Sequence, residues 1–218
     1  MMHDSYQKAL AFILEGQTEK EFYLELLSYI CKVNGYTIMN SHDEVTGEII
    51  WLISNYDSKI LVKLNVVGTI SSITNSASWF KTQCVKKFKT TWSVFLCYDT
   101  DNYNNEITKF HEGDWKQLRK KLKKSGAFEI VDIAASADIE DIMLTDINGI
   151  CKFLGVDEQS LPGSSKGKRK MKKLFNSLGF TYHEGKRANS LIKALNMEFI
   201  IEHTNVPLFE IEKRISFN

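Results

Sequence analysis

Two short apolar runs set the tightest limit on how this chain folds. Lys8 to Leu14 reads KALAFIL, and Trp92 to Tyr98 reads WSVFLCY. Both have the length and composition of buried β-strands. Both run straight into acid: Glu15 follows the first, and Asp99 and Asp101 follow the second. A fold that buries these runs therefore carries carboxylates at its strand ends.

The segments between and after them alternate in type. Thr18 opens a helical pattern in which Phe22, Leu26, Ile30 and Val33 recur at helical spacing, and Asn34-Gly35 ends it. Thr18 and Glu21 have the spacing of a capping box. Glu48–Ile53 and Lys59–Val67 read as strands about an Asn-Tyr-Asp-Ser turn. Ser71–Lys87 reads as a helix with untidy apolar spacing, Trp115–Lys124 as a basic amphipathic helix, and Phe128–Ala134 as a further strand. Asp138–Leu144 and Ile147–Leu154 follow as short helices. This order predicts α/β layers around a mostly parallel sheet. Past the joint Leu161–Ser165, helices are expected at about Lys168–Leu178, Ala188–Asn196 and Leu208–Ile215. The expected division is an α/β core over residues 1–145 and a helical extension over 146–218, packed on that core.

Composition narrows the class. The chain has 218 residues, 43% of them apolar and 25% charged, with a formal net charge of +1. That is a globular balance, and the net charge names no partner. Two basic runs, Lys116–Lys124 and Lys166–Lys173, each read either as a solvated helix face or as a polyanion-binding face. Cys31, Cys84, Cys97 and Cys151 are widely spaced and read as reduced packing residues. With no apolar signal segment and no run of membrane-spanning length, a cytoplasmic protein without a membrane partner is expected.

The chemistry-bearing candidates are the carboxylates. Functional groups in open α/β sheets gather at the carboxyl ends of strands. Glu15, Asp99 and Asp101 stand there, and converging carboxylates would repel one another without a cation between them. Oxygen ligands of this kind suit Mg²⁺ or Mn²⁺. Ser136–Asp141 reads SADIED and adds Glu140, with Asp138 available as a helix N-cap. Tyr98 and Tyr103 flank the Asp-Thr-Asp, where they could stack on a base or simply pack. The five histidines lack zinc-ligand spacing, and the P-loop and nucleophile-elbow motifs are absent.

An apolar strand ending in Glu-Gly, a polar residue and a helix, followed by an apolar strand ending in Asp-x-Asp, resembles the TOPRIM pattern. LEGQTEKEFY is similar to the opening of OLD-like and small stand-alone bacterial TOPRIM proteins, and SSKGKRKMKKLF and YHEGKRANSLI are similar to their late segments. The resemblance implies a TOPRIM-like fold and a Mg²⁺- or Mn²⁺-dependent nuclease acting on DNA or RNA, in anti-phage defence or genome maintenance. It places Glu15, Asp99, Asp101 and Glu140 at the metal. Lys166 or Lys168 is then the lysine that steadies the phosphate. A separate ABC-type ATPase is implied as partner, with homo-oligomers also allowed. A silent TOPRIM interaction module and, more weakly, a primase are the alternatives.

Overall fold

The computed structural model describes residues 6–43, 47, 49–68, 70–99, 112–135, 138–157 and 167–216. Its centre is a six-stranded sheet. The strands are β1 (Lys8–Leu14), β2 (Thr37–His42), β3 (Ile49–Ser54), β4 (Lys59–Val66), β5 (Trp92–Asp99) and β6 (Ala127–Ala135), in the order β2-β3-β4-β1-β5-β6. β1 pairs in parallel with both β4 and β5, and β5 pairs in parallel with β6. The β2-β3 and β3-β4 pairs are antiparallel. The protein is thus a mixed α/β fold with a mostly parallel sheet flanked by helices.

The helices are α1 (Gln17–Val33), α2 (Ser76–Trp79), α3 (Glu112–Lys124), α4 (Ile139–Met143), α5 (Ile147–Leu154), α6 (Gly167–Ser177), α7 (Asn189–Ala194), α8 (Met197–His203) and α9 (Phe209–Ile215). The expected helix over 71–87 is broken up: a 3-10 turn over Ile70–Asn75, α2, and a π-helical turn over Phe80–Val85. Its buried residues Ile73, Ala77, Phe80 and Cys84 nonetheless recur at intervals of four, three and four and form one apolar stripe through all three turns. β2 has no counterpart among the sequence expectations. Its residues, TIMNSH, are mostly exposed, and an edge strand of this kind offers no apolar run to detect.

Strand parity separates two cores. Leu10, Phe12 and Leu14 of β1, with Phe95 and Cys97 of β5, face one layer together with Phe22, Leu26 and Ile30 of α1. Ala9, Ala11 and Ile13, with Trp92, Val94 and Leu96, face the other, under Phe80, Trp115, Leu118 and Leu122. Phe12 and Phe95 stack at 4.7 Å between ring centroids. Residues on both sides of position 145 share the first core, with Met171, Leu174, Ile192 and Ile211 packed into it. Val33, expected in the buried stripe of α1, is exposed, because the helix reaches solvent at its last turn. Asn34 and Gly35 (φ 70°) do end that helix, as the sequence indicates. Among the described residues, no helix is long and apolar enough to cross a membrane. Cys31, Cys84, Cys97 and Cys151 are buried and free.

Candidate functional site

Sheet register brings the first acids together. Leu14 lies opposite Cys97, so Glu15, one residue past β1, and Asp99, which closes β5, emerge at the same edge on adjacent strands. Asp99 also lies opposite Ala135, the end of β6. Being two and four residues beyond Cys97 and Phe95, it turns toward the face occupied by α1. Burial, and then the negative charge of Glu15, Glu19, Asp138 and Glu140, push the Asp99 carboxyl up to about 9.

Glu19 was not singled out by its sequence. It lies in the first turn of α1, and its carboxylate folds back over the loop that leaves β1. A Cβ at Gly16 would sit 2.7 Å from Glu19 Oε2, so the glycine after Glu15 serves clearance rather than an unusual dihedral. Burial raises the Glu19 carboxyl, Glu15 and Asp138 raise it further, and its own backbone N–H and Lys168 oppose them.

The capping box expected at Thr18 and Glu21 does not form. The cap position is Gly16, with no side-chain cap bond. Thr18 Oγ1 instead accepts the backbone N–H of Gly185 at 2.9 Å, and Glu21 Oε2 accepts the Asn189 amide at 2.8 Å. These two side chains fasten the late turn before α7 to the start of α1.

The third acidic segment also differs from its local reading. Asp138 occupies the N-cap position of α4 but makes no cap bond there. Its carboxylate accepts the Lys168 backbone N–H through both oxygens, at 2.9 and 2.8 Å, while Asp141 accepts the Gly167 N–H at 2.7 Å. Two acids of α4 thus satisfy the open N-terminus of α6. Gly167 is required there: its φ is 46°, and a Cβ would fall 2.0 Å from Asp138 Oδ1. Glu140 is 1% exposed and accepts a 2.8 Å hydrogen bond from Tyr182. Burial and Asp138 push its carboxyl up to about 8, against the Tyr182 bond and the Lys168 charge.

Lys168 is the cation next to these acids. Its ammonium pairs with Glu184 at 2.9 Å, and Lys172 pairs with the other oxygen of Glu184 at 2.8 Å. Burial works against the Lys168 charge, but Glu184, Glu140 and Asp138 more than offset it and hold its pKa above the ordinary lysine value. Two cations of the basic run over 166–173 are thereby paired within the chain, at its surface. Of the six residues expected at the site, Glu15, Asp99, Glu140 and Lys168 come together. Asp101 and Lys166 lie outside the described residues, as does Tyr103. Tyr98 is no open stacking platform: it stacks on Trp115 at 3.8 Å, and Arg119 donates to its hydroxyl. Arg119 also departs from the solvated face expected of it, forking onto Asp132. Sequence reasoning missed Glu19, although it lies one helical turn past Glu15; Tyr182 and Glu184 stood in the quoted YHEGKRANSLI segment without an assigned role.

The expected Mg²⁺ or Mn²⁺ centre is corrected. Among the described residues, no group of three or more His, Cys, Asp or Glu side chains is arranged to hold a metal ion. Of the expected ligands, Glu140 is committed to Tyr182, and Asp101 lies outside the described residues.

No family model matches the chain, and no curated protein matches it. Solved structures align over most of its length. A hypothetical protein from Pyrococcus horikoshii OT3 is 14% identical, covering 95% of this chain and 99% of its own, with a TM-score of 0.47. The 5'-methylthioadenosine/S-adenosyl homocysteine nucleosidase of Campylobacter jejuni is 14% identical over 95% and 99%, with a TM-score of 0.28. A futalosine hydrolase mutant of Helicobacter pylori strain 26695 is 8% identical over 96% and 94%, with a TM-score of 0.25. The TOPRIM assignment is corrected, since no family model matches the chain, and the metal-dependent nuclease, silent-module and primase readings built on it go with it. Overlaps this shallow assign neither a family nor an activity to this chain.

Proposed function

We propose that the carboxyl edge of the sheet is a metal-independent acid–base site that hydrolyses a glycosidic bond. The observation behind this reading is the convergence of Glu15, Glu19, Asp138 and Glu140 on Asp99 at the end of β5. A carboxyl kept protonated near neutral pH is a proton donor for a leaving group. Glycosidic cleavage also passes through a cationic, oxocarbenium-like state, and carboxylates around the reacting centre favour that charge. It needs a second carboxyl for water or the sugar, and Glu15, one register step short of Asp99 just past the neighbouring strand, is close enough for its charge to act on Asp99.

In this scheme Asp99 donates the proton and Glu15 orients the attacking water. Glu140, held by Tyr182, and Lys168, held by Glu184, add charge beside them. The excess of acid also disfavours phosphorylated substrates, so neutral glycosides and nucleosides are the class to try. The test is release of base or aglycone from a panel of nucleosides and aryl glycosides in chelator-containing buffer. Wild-type turnover that falls about a hundredfold in Asp99→Asn is the expected result, the usual scale for losing a general acid. Turnover unchanged in that variant, or no turnover of any glycoside by folded protein, overturns the assignment.

A further inference from the structure

The opposite face of the sheet carries charge that the acid–base site does not use. From Ser58 to Tyr98 the sequence has six lysines and no acidic residue, and from Trp115 to Phe128 it has five lysines, one arginine and again no acid. The fold places these stretches side by side. The turn after α3 abuts the end of the π-helical segment, where a Cβ on Gly126 would stand 3.2 Å from Val85 Cγ1. Lys86, next to Val85, and Lys124, two residues before Gly126, therefore flank the same contact; Lys89 follows on the first segment, and Lys120, Lys121 and Lys123 continue the surface along α3. All six are exposed. Among the described residues, none of Lys86, Lys89, Lys120, Lys121 and Lys124 makes an ion pair with an acid. At neutral net charge this is a strongly one-sided distribution.

We infer that this face, formed by α3 and residues 85–89, binds the phosphate backbone of a nucleic acid. Three features favour that partner. Lys120, Lys121, Lys123 and Lys124 crowd the last turn or so of α3, within about 6 Å along its axis, a rigid cluster of charge that Lys86 and Lys89 extend. The apolar side of α3, Trp115, Leu118 and Leu122, is buried in the second core, so the helix has no free apolar face to lay into a bilayer. The one arginine of the stretch, Arg119, is committed to Asp132, which leaves lysines as point charges and no fork for reading a base edge. Binding is accordingly insensitive to sequence and dominated by counterion release. Phe128, 70% exposed beside Lys123, which donates to its carbonyl, offers an aromatic surface at the rim.

The experiment measures fluorescence anisotropy of labelled single-stranded DNA, RNA and duplex across a salt series. Wild type is compared with Lys86→Glu/Lys120→Glu/Lys124→Glu, and with Lys193→Glu, an exposed lysine of α7, as control. Circular dichroism and melting establish that each variant is folded, and a Lys→Gln triple covers the case in which charge reversal unfolds the protein. The expected result is binding by wild type and control, with the triple variant weaker by about tenfold or more and its log K against log salt slope reduced by about two to three. Equal binding by the folded triple variant overturns the inference. So does wild type that binds phosphatidylserine vesicles but no nucleic acid, or neither. The readout needs no turnover, so its failure is distinct from failure of the glycosidic assignment.

Discussion

Replacing Asp99 with asparagine is expected to make the protein more stable near neutral pH. The Asp99 carboxyl has an ordinary value of 3.8 and is pushed to about 9 by burial and by the acids around it. Between those values the folded state holds a proton that the unfolded chain has released. The unfolded state then binds fewer protons, so stability falls as pH rises through this window and is fully present only below the lower value. At about pH 7 the chain is some three pH units above its unfolded value, which at about 1.4 kcal/mol per unit costs the fold about 4 kcal/mol. Asparagine keeps the shape and carries no titrating proton. Asp99→Asn should recover a large part of that cost at neutral pH, almost none near pH 4, and the difference should widen steadily between. The assay is urea unfolding followed by circular dichroism, in chelator, at half-unit steps of pH for both proteins. Curves for wild type and variant that run parallel from about pH 5 to 8 would refute the reasoning, since they would mean that Asp99 is not held protonated by its surroundings. The same variant should lose the proposed hydrolysis, so stability and activity move in opposite directions.

Gly167→Ala should cost at least about 2 kcal/mol, because it combines a left-handed dihedral with displacement of Asp138 from the α6 N-terminus; faster hydrogen exchange at the Lys168 amide reports the displacement. Tyr182→Phe removes the hydrogen bond to buried Glu140 and should cost about 1 to 2 kcal/mol in thermal unfolding. That bond favours the charged carboxylate, so its loss also moves the Glu140 titration upward, visible by carboxyl NMR. Thr18→Val leaves the Gly185 N–H without its acceptor, for about 1 to 2 kcal/mol, and exchange at Gly185 should accelerate more than at amides in the middle of α1.

The fold was legible where exposure repeats at short range. β1 and β5 show as apolar runs because both of their faces are covered, and the buried stripe Phe22, Leu26, Ile30 of α1 shows as helical spacing. The ends of the two apolar runs likewise point Glu15 and Asp99 to one edge, with Glu140 following on a helix. β2 escaped because an exposed edge strand has no hydrophobic signature; the 71–87 region is helical as expected, but its division into 3-10, α and π turns leaves no mark on the spacing of its buried residues.

What the sequence determined by itself was therefore the set of elements and the acids at their ends, since local periodicity follows directly from which face is buried. What those acids do was decided by tertiary structure. Thr18 and Glu21 had the right spacing to cap α1, and Asp138 the right place to cap α4. The tail offered each a longer-range donor: the Gly185 N–H, the Asn189 amide and the Lys168 N–H. Tyr182, Lys168 and Glu184 reach the sheet edge only because the tail packs back onto the first core. A carboxylate takes whichever donor or charge is nearest in space once the chain has closed, and that proximity is a property of the assembled layers rather than of any stretch of sequence.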